Sequence, residues 1–297
     1  MNSFLKAFLS SLIFFFFGFL GFLCIYFLRP YLYSPEISTN PKKDRIHLWT
    51  MIPEVCSKNP QITFFMYHYI RDHDKKDDLF TKDLSVPPVL FSAHMRRVEQ
   101  LAESGKIILM TGSEFLKAEQ ENCFPEGIIW VFTADDGWSD MYNSLVPIAD
   151  RYHIPFFLGI IVGDVWKKWF LTRDEVIKMS QNPLMTISSH SMTHADNSLL
   201  SETELKNEMC NSKLILEEWI WKKVESYIYP SGRINVGFGS KIEKECGYRL
   251  TWSTGFGKNF SPLSPEFFQI NRIRIHSDTD VSFFDVFLRK ETSLQKK

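Results

Sequence analysis

The stretch "GIIWVFTADDGWSD", residues 127–140, decides how this chain is read. Six mostly apolar residues run into Thr133 and Ala134, then into two adjacent aspartates, Asp135 and Asp136, and a glycine. A continuous apolar run of this length, closed by a turn residue, marks a strand buried on both faces, as in a parallel sheet with helices outside. Two carboxylates at the end of such a strand repel each other, and burial strengthens the repulsion. A cation beside them resolves the conflict, and so does solvent exposure. Gly137 permits the tight turn that presents both.

The same kind of strand recurs on either side. "ITFFMYH" (62–68), "KIILM" (106–110), "PFFLGIIV" (155–162), "LMTISSH" (184–190), "SYIYP", "YRLTWS" and "FQINRIRI" all read as strands. Between them lie amphipathic segments. They include 91–105, which ends at Gly105, then 172–181, and 201–224, which opens with Ser201 and Glu204 at capping-box spacing. Strands alternating with helices predict an α/β fold, a (β/α) barrel of seven to eight strands, distorted or incomplete. An open doubly wound sheet is the alternative. In either, chemistry gathers at the C-terminal ends of strands, where Asp135, Asp136 and His190 fall.

Composition excludes several functions. With 34 basic and 35 acidic residues the formal net charge is −1, so no general attraction to nucleic acid is expected. Neither a P-loop nor GxGxxG is present, so no nucleotide is expected. Residues 7–28 carry no charge and include "LIFFFFGFLGFLCIYFL" between Lys6 and Arg29. At ~1.5 Å per residue this run matches a bilayer core of ~30 Å. Its end is built of large residues, without the small-x-small pattern of a cleavage site, and Leu23 is too bulky for a lipoprotein signal at Cys24. The expectation is therefore a signal-anchor helix in residues 1–29, a proline-punctuated tether in 30–60 and a catalytic domain in 61–297. Arg29, Lys42, Lys43 and Arg45 after the span argue by charge alone for the large part inside the cell. Four cysteines, Cys56, Cys123, Cys210 and Cys246, lie outside the span and fit no zinc spacing, leaving two disulfides or free thiols.

"SSHSMTH" (188–194) ends its strand with His190 and His194. Two histidines and a carboxylate form a common metal set that leaves positions open for water and substrate. "TADDG" together with "HSMTH" resembles the first two motifs, T-F-D-D-G and H-[ST]-x-x-H, of the polysaccharide deacetylase (NodB-homology) family of carbohydrate esterases. "FMYHYI" (65–70), "LSVPPVLFSAHMRRVEQLAESG" and "YIYPSG" (227–232) are similar to the branch acting on poly-N-acetylglucosamine. The resemblance covers most of the chain after residue 60.

It implies that Asp135 is the general base and that Asp136, His190 and His194 bind a divalent metal, most often Zn2+. It also implies that a backbone N–H near Pro230 and Ser231 stabilises the oxyanion of an N-acetyl group under attack. An N-acetylglucosamine polymer is the implied partner. A polymer of that kind lies outside the cytoplasmic membrane, so function places the catalytic domain of a single-pass protein on the extracytoplasmic side, against the charge count.

Departures from the family pattern are equally specific. Ala134 replaces phenylalanine. Ile228 stands where an arginine often pairs with the base, a charge that Arg272 or Arg274 can supply. "RIRIH" offers His276 as the acid without the usual leucine. Ser231 replaces a tyrosine. His68 is a candidate for the pocket wall. Trp138, Trp252, Tyr67 and Tyr229 are candidate faces for sugar rings, whereas Trp219 and Trp221 are expected to pack their helix. Two other functions fit the same residues: a catalytically inactive glycan-binding member in polysaccharide export or biofilm assembly, and an amide hydrolase with a small non-sugar substrate.

Overall fold

Apolar runs that alternate between two faces build one curled sheet. The computed structural model describes residues 56–57, 60–254 and 270–288. Its strands are β1 (Gln61–Tyr67), β2 (Ile108–Leu109), β3 (Ile128–Ala134), β4 (Phe156–Ile160), β5 (Met185–Ser189), β6 (Ser226–Ile228), β7 (Leu250–Trp252) and β8 (Ile273–Arg274). All pair in parallel, in the order β7-β6-β5-β4-β3-β1-β8. The short β2 lies beside the first half of β3, where Ile108 meets Ile129, and β4 beside its second half, where Phe156 meets Phe132.

The segment 270–274 touches both outer strands. Ile270 exchanges backbone hydrogen bonds with β7, its N–H donating to Thr251 at 3.0 Å and its carbonyl accepting from Ser253 at 2.8 Å. A few residues on, β8 pairs with β1 through Ile273 and Arg274. The sheet is thus curled as in a distorted (β/α) barrel, and the open doubly wound alternative is set aside.

Alternation along each strand divides the apolar residues between two cores. Phe65, Phe132, Phe156 and Leu158 face the surrounding helices. Phe64, Val131, Phe157 and Trp252 fill the inside of the curl, joined there by Phe115. Each phenylalanine so buried contributes roughly 1.5–3 kcal/mol.

The helices are α1 (Leu79–Leu84), α2 (Pro88–Glu103), α3 (Gly112–Gln120), α4 (Val146–Arg151), α5 (Arg173–Gln181), α6 (Glu202–Lys206), α7 (Ser212–Ile220) and α8 (Gly239–Cys246). α3 carries Phe115 and Leu116 into the inner core. α2 buries Phe91, Met95 and Val98 against the outer one, the spacing of an amphipathic face. Capping boxes begin α3, α5 and α6 at Thr111, Thr172 and Ser201.

The helix expected over 201–224 is instead three pieces. A π turn, Asn207–Asn211, joins α6 to α7, and the run ends at Trp221 in left-handed conformation with φ 55°. Trp221 is 90% exposed, so it does not pack its helix, because the chain reverses there and turns the ring outward.

Two disulfides are formed, Cys56–Cys123 and Cys210–Cys246. Among the described residues no helix is long and apolar enough to cross a membrane. The signal-anchor expectation for 1–29, and all of the tether expected over 30–60 except residues 56, 57 and 60, lie outside the described residues.

Candidate metal and catalytic centre

β3 delivers both aspartates. The Asp135 N–H donates to the Tyr67 carbonyl at 3.1 Å, prolonging the β1–β3 ladder by one bond. The chain then turns through Asp136 and Gly137, both in the left-handed region with φ 78° and 79°. Glycine adopts that conformation freely, but aspartate does so at a cost, and such strain concentrates at functional sites.

Asp135 is buried against Arg272. The guanidinium donates from Nη1 to Oδ1 at 2.7 Å and from Nη2 to Oδ2 at 2.8 Å. Its remaining bonds go to the Thr133 hydroxyl at 2.8 Å and the Ser253 carbonyl at 2.9 Å. Such a bidentate pair fixes the carboxylate plane. Burial pushes the Asp135 carboxyl up. The Arg272 charge and its hydrogen bonds, with His190 and His68 nearby, outweigh that and hold it below the ordinary carboxylate range. Of the two arginines expected to replace the motif arginine, Arg272 reaches Asp135, while Arg274 lies over the Phe80 ring.

Asp136 faces the two histidines. Its Oδ1 lies 3.2 Å from His190 Nε2 and 3.6 Å from His194 Nε2. One ligand atom from each of the three residues falls within 4.8 Å of the others. Bonds of ~2.1 Å in a tetrahedron set ligand atoms roughly 3.4 Å apart, so the spacing fits a cation such as zinc. The orienting contacts fit as well. His190 Nδ1 meets the Ile228 carbonyl at 2.8 Å, which leaves Nε2 free as a ligand. Trp138 Nε1 donates to Asp136 Oδ2 at 3.0 Å and leaves Oδ1 turned to the histidines. Burial raises the Asp136 carboxyl, but the His190 hydrogen bond and the charges of His68, His190 and His194 overcome it, and the group lies well below the ordinary range.

Residues 124–251 match the family model described as polysaccharide deacetylase. The chain carries a polysaccharide deacetylase domain. The family consists of hydrolases of N-acetyl amide bonds. The chain is 23% identical over 252 residues to the Bacillus subtilis protein YxkH, which is named for a polysaccharide deacetylase, covering 85% of this chain and 83% of that one. It is also 23% identical over 192 residues to the Staphylococcus epidermidis poly-beta-1,6-N-acetyl-D-glucosamine N-deacetylase, covering 57% of this chain and 64% of that one. In fold it is similar to the Streptococcus pyogenes deacetylase PplD, with a TM-score of 0.68 at 24% identity, over 78% of this chain and 100% of that one.

The deacetylase match spans β3 to β7 and includes Asp135, Asp136, His190, His194 and Pro230. It leaves out β1 with His68 after it, and residues 270–276 with Arg272. His68 follows β1 directly, and the charges of Asp136 and Asp135 act on its imidazole. Its Nδ1 is buried without a partner among the described residues. Burial lowers its pKa, and the two aspartates offset this only in part. His276 is not brought to this cluster: its Nδ1 pairs with Asp83 Oδ2 at 2.9 Å.

Trp252 needs correcting as a substrate contact. It is fully buried in the inner core, 5.2 Å from Phe64 and 5.1 Å from Phe157 between ring centroids. Strand alternation turns it inward, where no sugar can reach it. Tyr67 and Tyr229 are likewise buried, bonded to His94 and Glu243. Pro230 and Ser231 lie in a 3-10 turn beyond β6, with Ser231 at φ 54° and its carbonyl accepting from the Thr254 hydroxyl at 3.1 Å.

Only Trp138 among the expected aromatic faces borders the site. It stacks on Tyr69 at 4.7 Å and on Phe170 at 4.0 Å. The loop carrying Phe170 is tied to the aspartate turn, with Ser139 N–H on the Trp169 carbonyl at 2.8 Å and Leu171 N–H on that of Gly137 at 3.0 Å. Trp166 and Trp169 in that loop are exposed. Sequence reasoning passed over "WKKWF" (166–170), although its aromatic density after a strand end was a readable signal. It also passed over Asp140, whose Oδ2 accepts from the Ile70 N–H.

Proposed function

We propose that this protein is a metal-dependent N-deacetylase of an N-acetylglucosamine-containing polysaccharide. The observation that carries the reading is the convergence of Asp136, His190 and His194 within ligand distance, directly beside a buried, Arg272-paired Asp135. A divalent cation held by those three side chains, zinc by the chemistry of the set, would supply Lewis-acid polarisation of the amide and a lowered pKa for water.

The chain's own residues account for the proton movements. Asp135 is ionised at neutral pH and takes the proton of the attacking water as the oxygen–carbon bond forms. Arg272 keeps that carboxylate charged and aimed. The turn at Pro230 and Ser231 is the candidate for an oxyanion donor. As the carbon–nitrogen bond breaks, His68 is our candidate to protonate the leaving amine, giving acetate and a free glucosamine unit. Its lowered pKa makes the imidazolium a stronger acid while shrinking the protonated fraction at neutral pH. His276, engaged with Asp83, is the weaker candidate.

An aromatic rim supports a sugar polymer over a small amide. Trp138 is stacked between Tyr69 and Phe170 beside Asp136, and the loop that carries Phe170 also exposes Trp166 and Trp169. The named activity of the Staphylococcus epidermidis relative agrees with a poly-N-acetylglucosamine substrate. Two disulfides favour an oxidising compartment. Together with the uncharged run 7–28, they underlie our reading of a single-pass membrane protein with its catalytic domain outside the cytoplasm.

The test is acetate release from N-acetylglucosamine oligomers of several linkages by the full chain in detergent, with zinc or cobalt and after chelation. Metal-dependent release that is lost in Asp135→Asn and His190→Ala is the expected result. A folded, metal-loaded protein that releases nothing from any linkage, yet retains oligomer binding, would move the assignment to an inactive glycan-binding member.

A further inference from the structure

Residues 191–194 carry His194 on a backbone that belongs to no strand or helix. Ser191 and His194 both sit at positive φ, 71° and 61°, a region that L residues adopt only when their surroundings impose it. What imposes it is visible in the loop's four amide groups. Ser191 N–H donates to Ser189 Oγ at 3.2 Å, and His194 N–H to Ser191 Oγ at 2.9 Å. The two between them, Met192 N–H and Thr193 N–H, both donate to Glu208 Oε2 at 2.9 Å. The Thr193 hydroxyl donates to Glu208 Oε1 at 2.7 Å. One carboxylate thus gathers three donors from a four-residue loop.

Glu208 comes from the π turn Asn207–Asn211. A π turn inserts a residue into a helix and re-aims the side chains around it. The same turn is anchored on its other side by Cys210, disulfide-bonded to Cys246. It is followed by Ser212, whose hydroxyl lies 2.6 Å from that of Ser189. The far side of the loop is pinned by Gly163, whose N–H donates to the Met192 carbonyl at 2.7 Å. A Cβ on Gly163 would lie 2.5 Å from that oxygen, so only glycine permits the approach.

We propose that Glu208 is a positioning residue for the metal set: it holds the 191–194 loop in the conformation that keeps His194 Nε2 beside Asp136 and His190. The inference rests on reading those three residues as a metal site. Removing the carboxylate frees the loop, and cation affinity falls while the fold persists.

The experiment titrates the full chain in detergent with Co2+, followed by its visible absorption, and with Zn2+ in competition with a chromophoric chelator. Glu208→Ala is expected to weaken binding about 10–100-fold, the range for residues that orient metal ligands, and to change the cobalt spectrum. Glu208→Gln keeps an oxygen for both amides and is expected to restore affinity to within about fivefold of wild type. Glu218→Ala, on the exposed face of α7, is expected to change nothing. A folded Glu208→Ala protein that binds within about threefold of wild type, even with a lowered melting temperature, overturns the proposal. Should that variant fail to fold, Thr193→Val removes one of the three bonds, and unchanged affinity there overturns it as well. If the wild type itself binds neither cation, the metal reading fails and this inference with it.

Discussion

Arg272 and Asp135 are 137 residues apart in the chain, yet the two terminal guanidinium nitrogens each meet one carboxylate oxygen, at 2.7 and 2.8 Å. The pair is closed to solvent, with side-chain exposures of 0% and 3%. Without Arg272 the largest remaining influence on Asp135 is burial, which raises its pKa. Arg272→Lys keeps a charge but loses the fork. We expect kcat/KM to fall on the order of 100-fold and the acidic limb of its pH profile to move to higher pH. Arg272→Ala should in addition destabilise the protein by roughly 3–5 kcal/mol, because it strands a buried charge. A pH–rate series and thermal unfolding check both, and an acidic limb that stays in place would refute the role given to Arg272.

His68 and His276 compete for one task, and single variants separate them. His68→Gln is expected to lower kcat by about 10²-fold or more with little change in KM, the usual worth of a proton donor. His276→Gln, which removes only the contact with Asp83, is expected to leave kcat within about threefold. The reverse ranking in steady-state kinetics would return the acid to His276.

Asp140 makes stability depend on pH. Burial raises its pKa to about 6, and the hydrogen bond from Ile70 offsets this only in part. Its Oδ1 is buried without a partner among the described residues. With the folded pKa above the unfolded one, near 3.8, its contribution is fully present below the unfolded value and is lost as pH rises through about 6. The loss amounts to on the order of 3 kcal/mol at ~1.4 kcal/mol per pH unit. Asp140→Asn should remove this dependence, so its melting temperature relative to wild type should rise between pH 4 and pH 6.5. Parallel melting curves for the two proteins would contradict the assignment.

The exposed Trp169 tests the aromatic rim. Trp169→Ala is expected to raise KM for N-acetylglucosamine tetramers about tenfold, the scale of one lost aromatic face, with kcat little changed. Dimers, which span less of the rim, should be affected less. Equal effects on both lengths, or none, would remove the loop from substrate binding.

What the sequence by itself determined is local. The apolar run ending in Asp135-Asp136-Gly137 and the strand ending before His190 put those residues at strand ends, with His194 in the loop four residues on, because short spacings leave the backbone few arrangements. Alternating strands and helices set a parallel sheet with helices outside, but left open whether it curls or lies flat. Only tertiary structure decided what depends on distant segments meeting. The sheet's curl brings residues 270–274 against both β7 and β1, and this chose Arg272 over Arg274 for Asp135. Pairing of β1 with β3 brought His68 to the two aspartates, and His276 was left with Asp83. Which way Trp252 faces followed from strand alternation only once the sheet had an inside. The disulfide pairing likewise required the four cysteines to be placed, since spacing alone allowed every combination.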